Sequence, residues 1–180
     1  TVVVPADATE AAQAVKVAAQ TYGPFYIRLS RPKTPLVYVS DYKFTLGKAA
    51  TLREGKDITV IATGIMVAAA MGAAQNLALD GIDCRVLSMS TLKPLDRDAI
   101  VKAAMETGAI ITAEEHLRRG GLGSAVAQIV AEQRPVPMSF IAINDIYAKS
   151  GKAEELLKRH RLTAADIESA VRSLILKKRA

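Results

Sequence analysis

An α/β fold built on a mixed, mostly parallel sheet is the expectation for this chain, and three observations carry it. Residues 57–64 read Asp-Ile-Thr-Val-Ile-Ala-Thr-Gly, a short β-branched run closed by a glycine and followed by a helical stretch over 65–79. Such a run suits a strand covered on both faces, and strand, tight turn and helix open a βαβ unit. Half of the 180 residues are apolar, yet only 4% are aromatic and alanine carries much of the apolar fraction, which favours helices packed closely on a sheet over an all-β sandwich. Near the C-terminus Ile167, Ala170, Val171, Leu174 and Ile175 fall at helical spacing and form a single core-facing stripe.

The elements follow in order. Residues 2–4 read as a strand. Asp7 offers an N-cap with Glu10 three positions on, an aspartate form of the capping box, and the helix it opens runs to about residue 22, where Gly23 stops it. Residues 25–29 form a second strand, so the chain begins as β-α-β, the last piece of a parallel sheet whose other strands are expected elsewhere. Pro32 and Pro35 end that piece, and residues 33–44 have little periodicity and read as a linker. Residues 47–53 form a weak strand. Glu54-Gly55-Lys56-Asp57 supplies turn chemistry, so a hairpin with the central strand is expected.

The helix over 65–79 ends at Asp80-Gly81, and residues 84–89 form the next strand. Asp96 caps the following helix, with Leu95 and Ile100 as a hydrophobic staple, Asp98 in the first turn and Gly108 as the stop. Residues 109–113 form a strand, and 114–119 are expected as the loop at its C-terminal end. Gly120-Gly121-Leu122-Gly123 leads into a helix that ends before Pro135, and 138–143 form the last strand. A short helix spans 152–158, and Thr163 repeats the staple and box logic before the terminal helix. The expected architecture is a three-layer α/β/α domain with a mixed, mostly parallel five-stranded sheet, preceded by a β-α-β remnant of another α/β domain.

Bulk properties exclude several function classes. The single cysteine, Cys84, rules out an internal disulfide and suits a reducing, cytoplasmic compartment. No apolar run approaches the length of a membrane span, and no signal peptide is visible, so no membrane association is expected. The net charge is +6, but the charges are dispersed and rarely neighbour aromatics, so nucleic acid is not an expected partner. The tight clusters are Arg118-Arg119 and Lys177-Lys178-Arg179, the latter at a helix end where cations meet the dipole favourably. The chain starts inside an apparent strand without an initiator methionine, which reads as a piece of a longer polypeptide.

The most suggestive chemistry lies in Tyr26-Ile27-Arg28-Leu29-Ser30-Arg31-Pro32. Arg31 follows the C-terminal end of a parallel strand, where α/β sheets place ligand-binding groups, and its guanidinium can hold a phosphate bidentately. Arg28 could share that work or pair with a buried carboxylate; a structural ion pair is the bland alternative for both. Glu114-Glu115-His116 could do acid–base or metal chemistry, but the chain's other histidine is distant His160, and a hydrogen-bond network or an interface contact is favoured. Gly121-x-Gly123 is half a dinucleotide fingerprint without the acidic residue it needs, and close helix–strand packing explains it better. Cys84 reads as a core thiol, and no base stands ready to activate Ser150. No catalytic constellation and no metal site emerge.

Motif order adds a resemblance. Thr-Leu-Lys-Pro-Leu-Asp (91–96), Thr-Ala-Glu-Glu-His (112–116), Gly-Gly-Leu-Gly-Ser-Ala-Val (120–126) and Ser-Gly-Lys-Ala-Glu-Glu-Leu-Leu (150–157) occur in register. With Pro-Ala-Asp at 5–7 and Tyr-Ile-Arg-Leu-Ser-Arg-Pro at 26–32, the set resembles the C-terminal part of transketolases over essentially the whole chain. The related 1-deoxyxylulose-phosphate synthase usually has Tyr-Pro-Arg-Gly where this chain has Leu-Ser-Arg-Pro; 2-oxo acid dehydrogenase β subunits share the domain plan.

The resemblance implies a division into residues 1–35, the end of a pyrimidine-binding domain, 36–46, a linker, and 47–180, the transketolase C-terminal domain. It implies transfer of a two-carbon ketol unit between sugar phosphates, as in the pentose phosphate pathway, with thiamine diphosphate and Mg2+ in the complete enzyme. The segments that bind and activate that cofactor have no counterpart here, so these residues alone are expected to bind no cofactor, to carry no catalytic residue and to be inert. The implied partner is an N-terminal portion, on the same chain or as a separate subunit, in a homodimer or heterotetramer. Arg31 matches the family arginine that grips the sugar phosphate; Arg28 and His116 stay as further candidates. The rivals are a non-catalytic interaction or regulatory domain, the corresponding part of the synthase or of a dehydrogenase β subunit, and a nucleotide-binding module at 120–123. Once separated from its sheet, the remnant is expected to expose surface that the sheet would cover.

Overall fold

The computed structural model describes residues 1–39 and 41–179; Ser40, in the expected linker, and Ala180 lie outside the described residues, as does the side chain of Arg179 in the basic C-terminal cluster. In chain order the elements are β1 (Val2–Val3), α1 (Ala8–Gln20), β2 (Tyr26–Ile27), β3 (Ala50–Arg53), β4 (Ile58–Ala62), α2 (Met66–Leu79) and β5 (Cys84–Ser88). They continue with β6 (Thr91–Lys93), α3 (Arg97–Thr107), β7 (Ile110–Leu117), α4 (Leu122–Gln133), β8 (Met138–Ile143), α5 (Ala153–Arg159) and α6 (Ala164–Arg179).

Five strands form one sheet in the order β3-β5-β4-β7-β8, parallel except for β3. The β-branched run seen in the sequence is its centre: all five residues of β4 are buried. Alternation divides them between two cores. Ile58 and Val60 pack with Met66, Leu77, Ile167 and Val171 under α2 and α6. Ile61 packs with Ile100, Leu122 and Val126 under α3 and α4. The caps form as expected: Asp96 accepts the Ala99 amide at 3.2 Å, Gly108 ends α3 in the left-handed region, and Thr163 and Asp166 cap each other's amides ahead of α6.

Three expectations need correction. The hairpin does not form, because β3 runs antiparallel to β5, not beside β4. The link through Gly55 instead crosses the start of β5, and a Cβ on Gly55 would sit 2.3 Å from the Cys84 carbonyl carbon. Turn chemistry reports a reversal but not which strand receives it. Second, 114–117 is not loop: β7 runs on to Leu117, which is level with Ile143, after a register shift beyond Ala113. Third, β1 finds a second neighbour within this chain. It pairs in parallel with β2, as expected, but its other side is taken antiparallel by β6, giving a three-stranded sheet β2-β1-β6. An open strand edge is a row of unpaired N–H and C=O groups, and β6 satisfies one. Its three residues show no alternation to read, and their partner lies some ninety residues upstream.

The basic cluster ends α6 as expected, and one of its lysines also reaches beyond it. Lys178 donates to Thr107 O at 2.6 Å and Asp57 O at 2.9 Å, so it also caps the end of α3. Among the described residues no helix is long and apolar enough to cross a membrane.

Candidate functional site

Arg28 follows directly on β2 at the junction between the two sheets, Arg31 lies three residues further along, and the N-cap and first turn of α1 supply the two acidic residues that build that junction. Asp7 uses both carboxylate oxygens. Oδ1 accepts the Glu10 amide at 2.9 Å and caps α1, while Oδ2 accepts the amides of Val37 at 2.7 Å and Tyr38 at 3.0 Å. Glu10 is fully buried. Its Oε2 accepts the Ala6 amide at 2.8 Å, and its Oε1 accepts the hydroxyls of Tyr42 at 2.9 Å and Ser90 at 2.6 Å. One carboxylate thus joins α1, the following connection and the β5–β6 turn. Tyr38 and Tyr42 stack at 3.7 Å between ring centroids. Burial, then the nearby Glu10 charge, hold both phenols far above the usual tyrosine range.

Arg28 and Arg31 have different surroundings. Arg28 forks onto one residue of β7: Nη1 donates to Glu115 O at 2.9 Å and Nη2 to Glu115 Oε2 at 3.0 Å. The pair is about one-third exposed, so it is a partly screened clamp with the bidentate geometry that favours arginine. Arg31 lies in the bend after β2, exposed, with no ion-pair partner among the described residues. The two arginines therefore do not share one task.

A cleft of about 470 Å³ lies between the sheets, lined by Arg28, Lys93, Glu114 and His116 among others. It opens at the C-terminal ends of β4 and β7, whose following helices pass to opposite faces, the switch point where open α/β sheets receive ligands. The N-terminal unit partly occupies that position. Val4 Cγ1 lies so close to Gly64 that a Cβ there would be 3.0 Å from it, and Thr63 Oγ1 donates to Val4 O at 3.4 Å.

The acid–acid–histidine run resolves into three separate jobs. Glu114, 2% exposed, accepts the amides of Leu122 at 2.7 Å and Gly123 at 2.8 Å, so its carboxylate sits at the N-terminus of α4. Burial raises its pKa above the usual glutamate value; the two amides, then His116 and Arg28, pull it back. Glu115 holds Arg28. His116 Nδ1 lies 3.1 Å from the Leu117 carbonyl and 4.0 Å from Glu114 Oε2. The half-fingerprint is explained by the same geometry. A Cβ on Gly121 would meet Glu114 Oε2 at 2.0 Å, and one on Gly123 would meet Phe140 at 2.7 Å. The α4 amides are thus already taken by a carboxyl group belonging to the chain itself.

Cys84 is buried, and burial pushes its thiol up to about 12. In the basic pair, Arg118 stacks over Phe140 at 5.1 Å and Arg119 faces Asp145 at 3.6 Å. The sequence reading missed the second role of Asp7, the junction role of Glu10 and the part played by Ser90. The capping box was visible, but nothing local shows which distant amides and hydroxyls its carboxylates also receive.

The group implied by the transketolase resemblance, thiamine diphosphate with its Mg2+, does not fit the residues described here. No cluster of three or more His, Cys, Asp or Glu side chains that could hold a metal occurs among them, and the glycine-led α4 N-terminus gives its amides to Glu114.

Comparison with known proteins places these features. The family model described as "Transketolase, C-terminal domain" matches residues 47–167. A 6-deoxy-6-sulfo-D-fructose transketolase subunit of Clostridium sp. (strain MSTE9) is 44% identical over 87% of this chain and 48% of its own length. Human transketolase is 38% identical over 98% of this chain and 29% of its own length. A solved structure described as a split gene transketolase, inactive beta4 tetramer, is 45% identical and superposes with a TM-score of 0.95, covering 98% of this chain and 58% of that one. The chain thus spans about half the length of the subunit it matches and under a third of the human enzyme. With the family model matching residues 47–167, well over half of it, the chain belongs to the transketolase C-terminal domain family.

Proposed function

We propose that this chain is the C-terminal portion of a transketolase that moves a two-carbon ketol unit between sugar phosphates, in concert with an N-terminal portion that holds thiamine diphosphate and Mg2+. The observation that carries this reading is the extent of the likeness. The match to the split gene transketolase covers 98% of the chain, so it includes the β-α-β piece ahead of the family match at 47–167. A free-standing interaction domain would need only the later part.

In this reading residues 1–35 complete a pyrimidine-binding domain, 36–46 link it and 47–180 form the C-terminal domain. The N-terminal portion is on the same chain in a homodimer or a separate subunit in a heterotetramer. The surface supports a missing neighbour: among the described residues, six of twelve exposed large apolar side chains fall within residues 15–39. Arg31 binds the substrate phosphate, which its exposed position after a parallel strand supports. A reducing cytoplasm suits the single buried thiol.

The test uses the complete enzyme, with the cofactor-bearing portion present. Wild type is expected to transfer a ketol unit only with thiamine diphosphate and a divalent metal. Arg31→Ala is expected to raise KM for phosphorylated substrates about 100-fold, as the loss of one charge-assisted fork implies, and to leave unphosphorylated ones nearly unchanged. An intact wild type that transfers nothing under those conditions overturns the reading.

A further inference from the structure

We infer that Arg28 and Asp7 are positioning residues for Arg31, pinning the two ends of the segment that carries it. The inference rests on the reading of Arg31 as the phosphate-binding group.

Residues 29–36 leave β2 and cross the surface as irregular chain. Among the described residues none of them donates or accepts a hydrogen bond, and Leu29 and Leu36 are 57% and 67% exposed. A segment with no bonds of its own takes its conformation from its ends and its stiff residues. Pro32 and Pro35 supply the stiffness by fixing φ. The ends are held by charge. At the entry, the Arg28 amide donates to Val3 O at 2.9 Å and its guanidinium forks onto Glu115 O and Oε2. At the exit, Asp7 Oδ2 accepts two successive amides, those of Val37 and Tyr38. Both anchors belong to parts of the molecule that are themselves fixed, β7 and the first turn of α1.

The arrangement also separates the two arginines chemically. Both terminal nitrogens of Arg28 are engaged by Glu115, which balances its charge. Arg31 is left with its fork unspent on the protein. Holding that fork in place before substrate arrives removes an ordering cost that would otherwise be met on binding.

The experiment measures steady-state kinetics of the complete enzyme with a phosphorylated and an unphosphorylated aldehyde acceptor. The variants are Arg28→Gln, Asp7→Asn and Glu115→Gln, each alone and combined with Arg31→Ala. Asn at position 7 keeps the oxygen that caps α1 while replacing the one that receives Val37 and Tyr38. Glu115→Gln loosens the entry clamp from its other side and stands in should Asp7→Asn lower the melting temperature. Each single variant is expected to raise KM for the phosphorylated acceptor about tenfold, with kcat and the unphosphorylated KM held. On the Arg31→Ala background the same changes are expected to add nothing, since they act through that side chain. A merely structural role would move both acceptors and would add to Arg31→Ala. Unchanged KM in the clamp variants, or full additivity, overturns the positioning role while Arg31 keeps its own. If Arg31→Ala leaves the phosphorylated KM unaltered, the phosphate role itself falls and the positioning role falls with it.

Discussion

The two sheets of this molecule are held together by different physics. The five-stranded sheet is buried on both faces: Ile58, Ile61, Ile110 and Ile111 are 0% exposed, and two separate apolar cores cover it. The three-stranded sheet has strands of two or three residues and a cluster of only three buried apolar side chains, Val3, Ala14 and Phe44. What it lacks in apolar area it makes up in buried carboxylates, with Asp7 and Glu10 gathering partners from four stretches of chain. Hydrophobic burial is non-directional and tolerant, whereas a buried carboxylate fixes direction, because every lone pair left without a donor is costly. The candidate substrate arginine lies in the bend that follows β2 of the polar, directional sheet.

That contrast can be broken from either side. The largest effect is expected from Gly55→Ala, because the new Cβ would lie 2.3 to 2.4 Å from backbone atoms of Cys84 and Arg85 that cannot move without displacing β5. A loss above about 4 kcal/mol is expected, read as a drop in the denaturation midpoint of the whole chain. Next is Glu10→Ala, which strands the Ala6 amide and the hydroxyls of Tyr42 and Ser90. About 2–4 kcal/mol is expected, but confined to one region. Amide exchange should quicken in β1, α1 and β2 while β4 and β7 stay protected; loss of protection in both sheets would show that they unfold as one.

The smallest effect sharpens the comparison through pH. Burial raises the folded Cys84 thiol from its ordinary value of 9.0 to about 12, so above pH 9 the unfolded chain loses its proton first and unfolding is favoured. The stability this thiol contributes is complete below pH 9 and is lost as pH rises toward about 12, at about 1.4 kcal/mol per pH unit. Cys84→Ala should therefore lose less stability than wild type between pH 8 and pH 10 in paired denaturation curves. Equal losses would mean that the thiol titrates alike in the folded and unfolded chain.

Much of the five-stranded domain was legible in the sequence because its signals are local and periodic. The run at 58–62, the stripe from Ile167 to Ile175 and the caps at Asp96 and Thr163 each name an element without reference to anything distant. Pairing was less legible. The turn residues at 54–57 announced a reversal, yet β3 settled beside β5, since the neighbour is decided by where the chain crosses and not by the turn. The pair of short strands β1 and β2 was visible, but β6 was not, because three residues carry no period.

Of the candidate site, the chain by itself determined which groups are available: two arginines three apart after a parallel strand, an acidic cap, and a glycine-led helix start behind a pair of glutamates. It could not determine their division of labour. Only the tertiary structure gave Arg28 to Glu115 and left Arg31 exposed, turned Glu114 onto the α4 amides, and made Glu10 a junction between the sheets. The reason is physical. Propensity, capping and periodicity act over a few residues along the chain, whereas a charge is satisfied by whichever donors the fold brings within about 3 Å, and here those donors lie from 8 to 87 residues away.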